Sequence, residues 1–161
     1  MSTELKNSNA ELYSNELFEE WINRKKLIPV EEYFINKYLI DTQCNVLEAG
    51  TGGGRISFQI EKMGFKNISA FDIVPNMINH ANTIAEKTES GVKFKVADAA
   101  NLTEYANETY DYLIYLQQVL CFISKKEQFS DSLKEAYRVA KKMELLSFLF
   151  WILTQIFAIQ F

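Results

Sequence analysis

The chain is poor in the residues that most often betray a function early. Its two cysteines, Cys44 and Cys121, sit far apart inside apolar stretches. Neither a CxxC metal pair nor a disulfide framework is predicted, and a reduced thiol pair is expected. The one histidine, His80, falls within a predicted helix and reads as a surface residue rather than a base. Basic residues are not in surplus: 17 Lys and Arg face 21 Asp and Glu, a net charge of −4, which gives no general attraction to nucleic-acid phosphates. Met1 to Glu20 is polar and acidic without a basic run leading into an apolar core, so no secretory signal is predicted and a cytoplasmic location is expected. With only two prolines and six glycines, no low-complexity linker breaks the chain.

What is present is a large apolar fraction, 48% of 161 residues against 24% charged, enough for one domain with a real core. Leu12, Leu17, Trp21, Ile22, Leu27, Tyr33, Phe34, Tyr38 and Leu39 space two helices with a break before Pro29, their stripes core-facing or lid-like rather than a partner groove. From Val46 onward short apolar runs alternate with helical stretches. Strands are predicted over Asn45–Ala49, Asn67–Ile73, Val92–Ala97 and Tyr110–Gln117, the third less buried, with helices over Gly53–Met63, Pro75–Lys87 and Lys125–Lys142. In the last helix Phe129, Leu133, Ala136, Tyr137 and Ala140 fall on one face. The pattern predicts an α/β fold with a mainly parallel sheet, divided into a helical cap (residues 1–44), a core (45–142) and an apolar tail (143–161).

The informative segment is Val46-Leu-Glu-Ala-Gly50-Thr-Gly52-Gly-Gly54-Arg-Ile-Ser57, a strand running through a glycine-rich turn into a helix. Such a turn lets a ligand lie on bare backbone at the carboxyl end of the strand. A P-loop is excluded, because Gly54 is followed by Arg55 and Ile56 rather than Lys and Ser or Thr. A dinucleotide fingerprint is weakened, because its third glycine would fall at Arg55. The segment instead reads as an acid followed by GxGxG, with Glu48 two places before Gly50. An acid there repels phosphate and attracts an ammonium or sulfonium. Asp72, at the end of the second strand, has the spacing of a ribose-binding carboxylate, and Asp98, closing the third, suits an amino donor such as that of adenine. Three carboxylates at successive strand ends describe an adenosine-like ligand with a cationic far end. Helix capping by Asp72 and turn formation by Asp98 are the structural alternatives.

Val46–Gly54, then Phe71-Asp72-Ile-Val-Pro-Asn-Met77, then Ala97-Asp98-Ala, then Tyr110-Asp-Tyr-Leu-Ile114 together resemble class I S-adenosylmethionine-dependent methyltransferases over about Asn45 to Lys142. The resemblance implies a three-layer Rossmann-like fold and S-adenosyl-L-methionine as cofactor. It implies that Gly50, Thr51, Gly52 and Gly54 border the methionine part, with Glu48 orienting it. Asp72 would hold the ribose, Ile73, Val74 and Met77 would flank the adenine, and Asp98 with Ala99 would read its amino edge. Gln117 would sit near the methionine amine and substrate entrance. Arg55, in the first helical turn, is a further reading: either it reaches the methionine carboxylate or it faces solvent. Asp111 is expected to be structural.

No catalytic base and no metal site can be named. Leu116-Gln-Gln-Val119 lacks the Asn/Asp-Pro-Pro-aromatic signature of methyltransferases acting on adenine or glutamine amino groups. The expected acceptor is therefore a small molecule or lipid-like compound, with no nucleic acid. The departure from the family follows Lys142, where the usual Lys-Pro-Gly-Gly-like turn and the last two strands are missing. Leu145–Ile152 could form a fifth strand with an apolar outer edge, open to homodimerisation. Leu145 to Phe161 carries no charge, but at this length a membrane anchor is the weaker reading beside a truncated, incomplete sheet. A noncatalytic, cofactor-binding module is the alternative to an enzyme.

Overall fold

The computed structural model describes residues 11–15, 17–116, 119–123 and 125–141. Helices α1 (Phe18–Asn23) and α2 (Pro29–Tyr38) precede a repeating unit of β1 (Asn45–Ala49), α3 (Arg55–Lys62), β2 (Asn67–Asp72), α4 (Pro75–Thr88) and β3 (Lys93–Val96). After a loop come β4 (Tyr112–Ile114), a 3-10 turn (Val119–Phe122) and α5 (Lys126–Val139). The four strands are all parallel, in the order β3-β2-β1-β4. This is the expected Rossmann-like arrangement: crossover helices join parallel neighbours, and every strand ends at the same edge of the sheet.

Alternation along β1 sets the layers. Val46 joins Ile56 and Ile60 of α3, Ile78, Ala81 and Ala85 of α4, and Ile35 of α2 on one face. Leu47 and Ala49 join Phe71, Tyr110, Ala136 and Val139 on the other, where α5 packs. Because both faces are covered, Val46–Ala49 of β1 is apolar apart from Glu48. The β3 edge has one neighbour and buries only Phe94 of its four residues, as its mixed sequence predicts. Pro75 opens α4 at a position where its missing N–H costs nothing.

Two expectations need correction. Tyr137 is 58% exposed and does not belong to the buried face of α5, which is instead Ser132, Ala136 and Val139, with Phe129 and Leu133 alongside. The fourth strand is three residues long rather than eight, pairing with β1 only from Val46 to Glu48. Tyr110 makes a parallel bridge with Ala140, and its carbonyl accepts from the Lys141 N–H (2.9 Å), so the chain leaving α5 runs beside the start of β4. The expected fifth strand and its dimerising edge, the tail 143–161, and Gln117 lie outside the described residues. No helix among the described residues is long and apolar enough to cross a membrane.

Candidate functional site

The carboxyl ends of the strands open into a cleft of about 1050 Å³, counting open solvent at its mouth. Its floor is Gly50 and Gly52 after β1, then Phe71, Asp72, Ile73 and Val74 at the end of β2, with Met77 from α4. Ala97, Asp98 and Ala99 close the β3 side. The site thus brings together Gly50, Gly52, Asp72, Ile73, Val74, Met77, Asp98 and Ala99 of the residues expected from sequence.

The turn itself explains its glycines. Gly50 has φ 63°, and a Cβ there would lie 2.3 Å from Cγ2 of Val119. Gly52 has φ 54° and nothing within 4 Å of its Cβ position, so its backbone is bare toward the cleft. The turn is tied to β2 twice: the Thr51 N–H donates to the Phe71 carbonyl (3.0 Å) and the Gly52 N–H to Oδ2 of Asp72 (2.8 Å). Oδ1 of Asp72 accepts from the Val74 N–H (2.9 Å), fixing the carboxylate at the cleft floor. Burial raises the pKa of Asp72, while the Val74 and Gly52 N–H groups pull it back. Each carboxylate oxygen retains acceptor capacity beyond these single bonds. Asp98 also forms a turn, accepting from the Ala100 N–H (3.1 Å), so its structural and site readings coexist.

Four expected site residues, Glu48, Thr51, Gly54 and Arg55, stand behind the cleft rather than in its wall. Glu48 is 2% exposed and lies under the turn, not in the cleft wall; its Oε2 accepts from Oγ1 of Thr51 (2.8 Å) and from the Ser57 hydroxyl. It orients the turn rather than a ligand. Gly54, at φ 84°, opens α3 with the rings of Phe94 and Phe58 against its Cβ position, so it too faces the core. Arg55 does not face the cleft. Its Nη1 and Nη2 donate to the two oxygens of Glu31 (2.6 and 2.7 Å), and Nη1 also donates to the Lys26 carbonyl (2.8 Å). A planar guanidinium matched bidentately to a carboxylate is held too firmly to serve a ligand.

Burial pushes the Glu48 carboxyl up to about 7, against the hydroxyl bonds that favour its charged form. A folded value above the unfolded one means that stability is greatest below the unfolded pKa and falls as pH rises toward 7. The shift corresponds to a loss on the order of 3 kcal/mol. Glu48→Gln keeps an oxygen for Thr51 and Ser57 but cannot ionise. Its melting temperature is expected to be nearly flat between pH 5 and 8, where the parent declines, as thermal melts across that range will show.

Sequence reasoning missed the far wall: Tyr13, Trp21, Val119, Phe122, Ile123 and Gln128. The Tyr13 ring meets Trp21 and Phe122 edge-on, each at 5.8 Å, so the segment bearing α1 crosses the cleft to the 3-10 turn. This N-terminal segment lines the cleft, while α2 buries Ile35 in the core. His80 is half-buried edge-on to Phe18 at 6.0 Å, outside the cleft wall. Asp111 is structural, accepting from the Asn45 N–H (2.8 Å) and Nζ of Lys141 (2.7 Å) at the opposite end of the sheet. Among the lining residues the charged ones are Asp72 and Asp98, with no Lys, Arg or His, so the cleft favours a cation over a phosphate. Among the described residues no group of three His, Cys, Asp or Glu could hold a metal.

Comparison with known proteins agrees with this geometry. A family model described as a methyltransferase domain matches residues 40–157. The human EEF1A lysine methyltransferase 2 is 37% identical over 71 residues, covering 44% of this chain and 30% of that protein. The crystal structure of PH0226 protein from Pyrococcus horikoshii OT3 aligns with a TM-score of 0.64 at 28% identity, covering 81% of this chain and 57% of that one. A SAM-dependent methyltransferase from Aquifex aeolicus shares the fold, with a TM-score of 0.59 at 23% identity over 83% of this chain and 66% of its own. The chain thus spans less than a third of its human relative. With the glycine turn, the strand-end carboxylates and the family match together, the chain belongs to the methyltransferase-domain family and has the Rossmann-like fold of class I S-adenosylmethionine-dependent methyltransferases.

Proposed function

We propose that this chain binds S-adenosyl-L-methionine in the strand-end cleft and serves methyl transfer to an amine. The observation that carries the reading is Asp72, a carboxylate fixed at the cleft floor beside the bare backbone of Gly52, in a wall that contains no cationic side chain. In this reading Asp72 holds the ribose, Ile73, Val74 and Met77 flank the adenine, and Asp98 with Ala99 reads its edge. Gly50 and Gly52 admit the methionine part. Bound there, the cofactor would supply a methyl group on a sulfonium to the lone pair of a neutral amine, one whose ammonium proton has already gone to solvent, with the sulfur leaving as a neutral thioether. The protein's contribution is alignment of the two partners.

Composition alone favours a small molecule or lipid-like acceptor, whereas the human relative is named for a lysine of a protein. Its 37% identity supports nitrogen as the acceptor atom. The test incubates the full chain and labelled cofactor with EEF1A in one arm and a panel of small amines, alcohols and lipids in the other. Label transfer to an amine supports the reading. Transfer to hydroxyl compounds alone overturns the amine assignment, and cofactor binding without transfer to any acceptor favours the noncatalytic alternative.

A further inference from the structure

We infer that Arg138, with Glu135, is a positioning residue for the base of the cofactor: the pair holds the loop between β3 and β4 so that Asp98 and Ala99 select an amino-bearing purine. This rests on the cofactor reading above and carries it to a pair of α5 side chains outside the cleft wall. A guanidinium has five N–H groups, and Arg138 uses all five. Nε and Nη2 donate to the two oxygens of Glu135, each at 2.8 Å. The other three go to the loop: Nη2 to the Leu102 carbonyl (2.7 Å), and Nη1 to the Tyr105 carbonyl (2.8 Å) and Oδ1 of Asn107 (2.6 Å). Oε2 of Glu135 also accepts from the Leu102 N–H (2.6 Å), so one ion pair holds both backbone groups of Leu102. Lysine, with three donors and no planar fork, cannot reproduce this set.

The two ends of the loop are tied by backbone alone. The Ala97 N–H donates to the Asp72 carbonyl (3.0 Å), and the Thr109 and Tyr110 N–H groups donate to the Val139 carbonyl (2.8 and 3.0 Å). Those bonds survive any change at the Arg138 side chain. Between them the chain turns at Asp98, whose carbonyl accepts from the Asn101 N–H (2.8 Å), and Leu102 follows directly. Burial of the Leu102 side chain, 1% exposed, holds the loop against the core, while the ion pair fixes the direction in which its backbone runs. The placement of Asp98 at the cleft is thus set one residue beyond its own turn. A carboxylate recognises an amino group only over a few tenths of an ångström and a limited range of angles, so a loosened turn costs recognition of the base before it costs the fold.

Calorimetry on the full chain compares S-adenosylhomocysteine with S-inosylhomocysteine, whose base carries an oxygen where adenine carries its amino group. The parent is expected to bind the adenosyl compound about tenfold or more tightly, because that oxygen would face the Asp98 carboxylate. Arg138→Lys should reduce the preference to about twofold or less. Asn107→Ala, which removes one acceptor from the fork, should reduce it by at least about twofold, and it decides the matter if Arg138→Lys does not fold. Asp72→Asn, acting at the ribose, should weaken both compounds and leave their ratio near the parent's. A purely structural pair would lower the melting temperature and weaken both compounds in proportion, and a preserved ratio in Arg138→Lys and Asn107→Ala overturns the inference. Equal binding of the two compounds by the parent also overturns it and leaves the cofactor reading standing. Absence of adenosyl binding in the parent strikes the cofactor reading itself.

Discussion

Asp72→Ala is expected to weaken binding of S-adenosylmethionine and of its homocysteine product by about 100-fold, with Asp72→Asn intermediate. Hydrogen bonds to a charged group contribute roughly 1.5–3 kcal/mol each, and two ribose hydroxyls would share this carboxylate. A 100-fold change corresponds to about 2.7 kcal/mol, just under the combined range of about 3–6 kcal/mol. The same side chain also holds the Gly52 and Val74 N–H groups, so its loss loosens the turn as well as removing a ligand contact. Asparagine separates the two effects. Its oxygen can still accept one backbone bond, and melting curves of the two variants report how much of the loss is structural.

The second large effect lies outside the cleft. Glu31 and the Arg55 side chain are 1% and 8% exposed, so removing either partner leaves a charge buried without its counter-ion. Such a loss costs about 3–5 kcal/mol. At about 2–4 °C per kcal/mol for a chain of this size, Arg55→Ala or Glu31→Ala should lower the melting temperature by roughly 6–20 °C. Glu31 has a second duty, accepting from the Ile28 N–H (2.9 Å) to cap α2, so its truncation should be the worse of the two. Replacing both partners at once, Arg55→Met with Glu31→Leu, should recover most of the loss, because two apolar groups leave no stranded charge. Thermal unfolding of the three variants checks the ranking. If the double variant is no more stable than the single ones, the pair's local hydrogen bonds to Lys26 and Ile28, rather than its buried charges, dominate.

These two sites differ in how far the sequence revealed them. β1 falls over Asn45–Ala49 as expected, and α4 differs by one residue, because apolar runs there are bounded by glycine or proline. Asp72 was legible because a βαβ unit fixes its distance from the glycine turn. Arg55 was not, since its partner lies 24 positions upstream in a different helix and no local pattern joins them. Tyr13, Trp21 and Phe122 were hidden for the same reason: long-range closure brings them together. The one available signal was the apolar stripe near the N-terminus, which pointed to a core or lid role without naming the residues that reach the cleft. Tyr137 illustrates the limit of periodicity. It has the right spacing, but Ser132 and Val139 take the buried positions of α5 while Tyr137 turns outward.

Calorimetry of the full chain with S-adenosylhomocysteine and with NADH, in parallel, tests the central claim most directly. The account predicts one saturable site for the homocysteine compound, strongly weakened in Asp72→Ala, and no detectable heat for NADH. Binding of NADH instead, or unchanged affinity after Asp72 is removed, would contradict it.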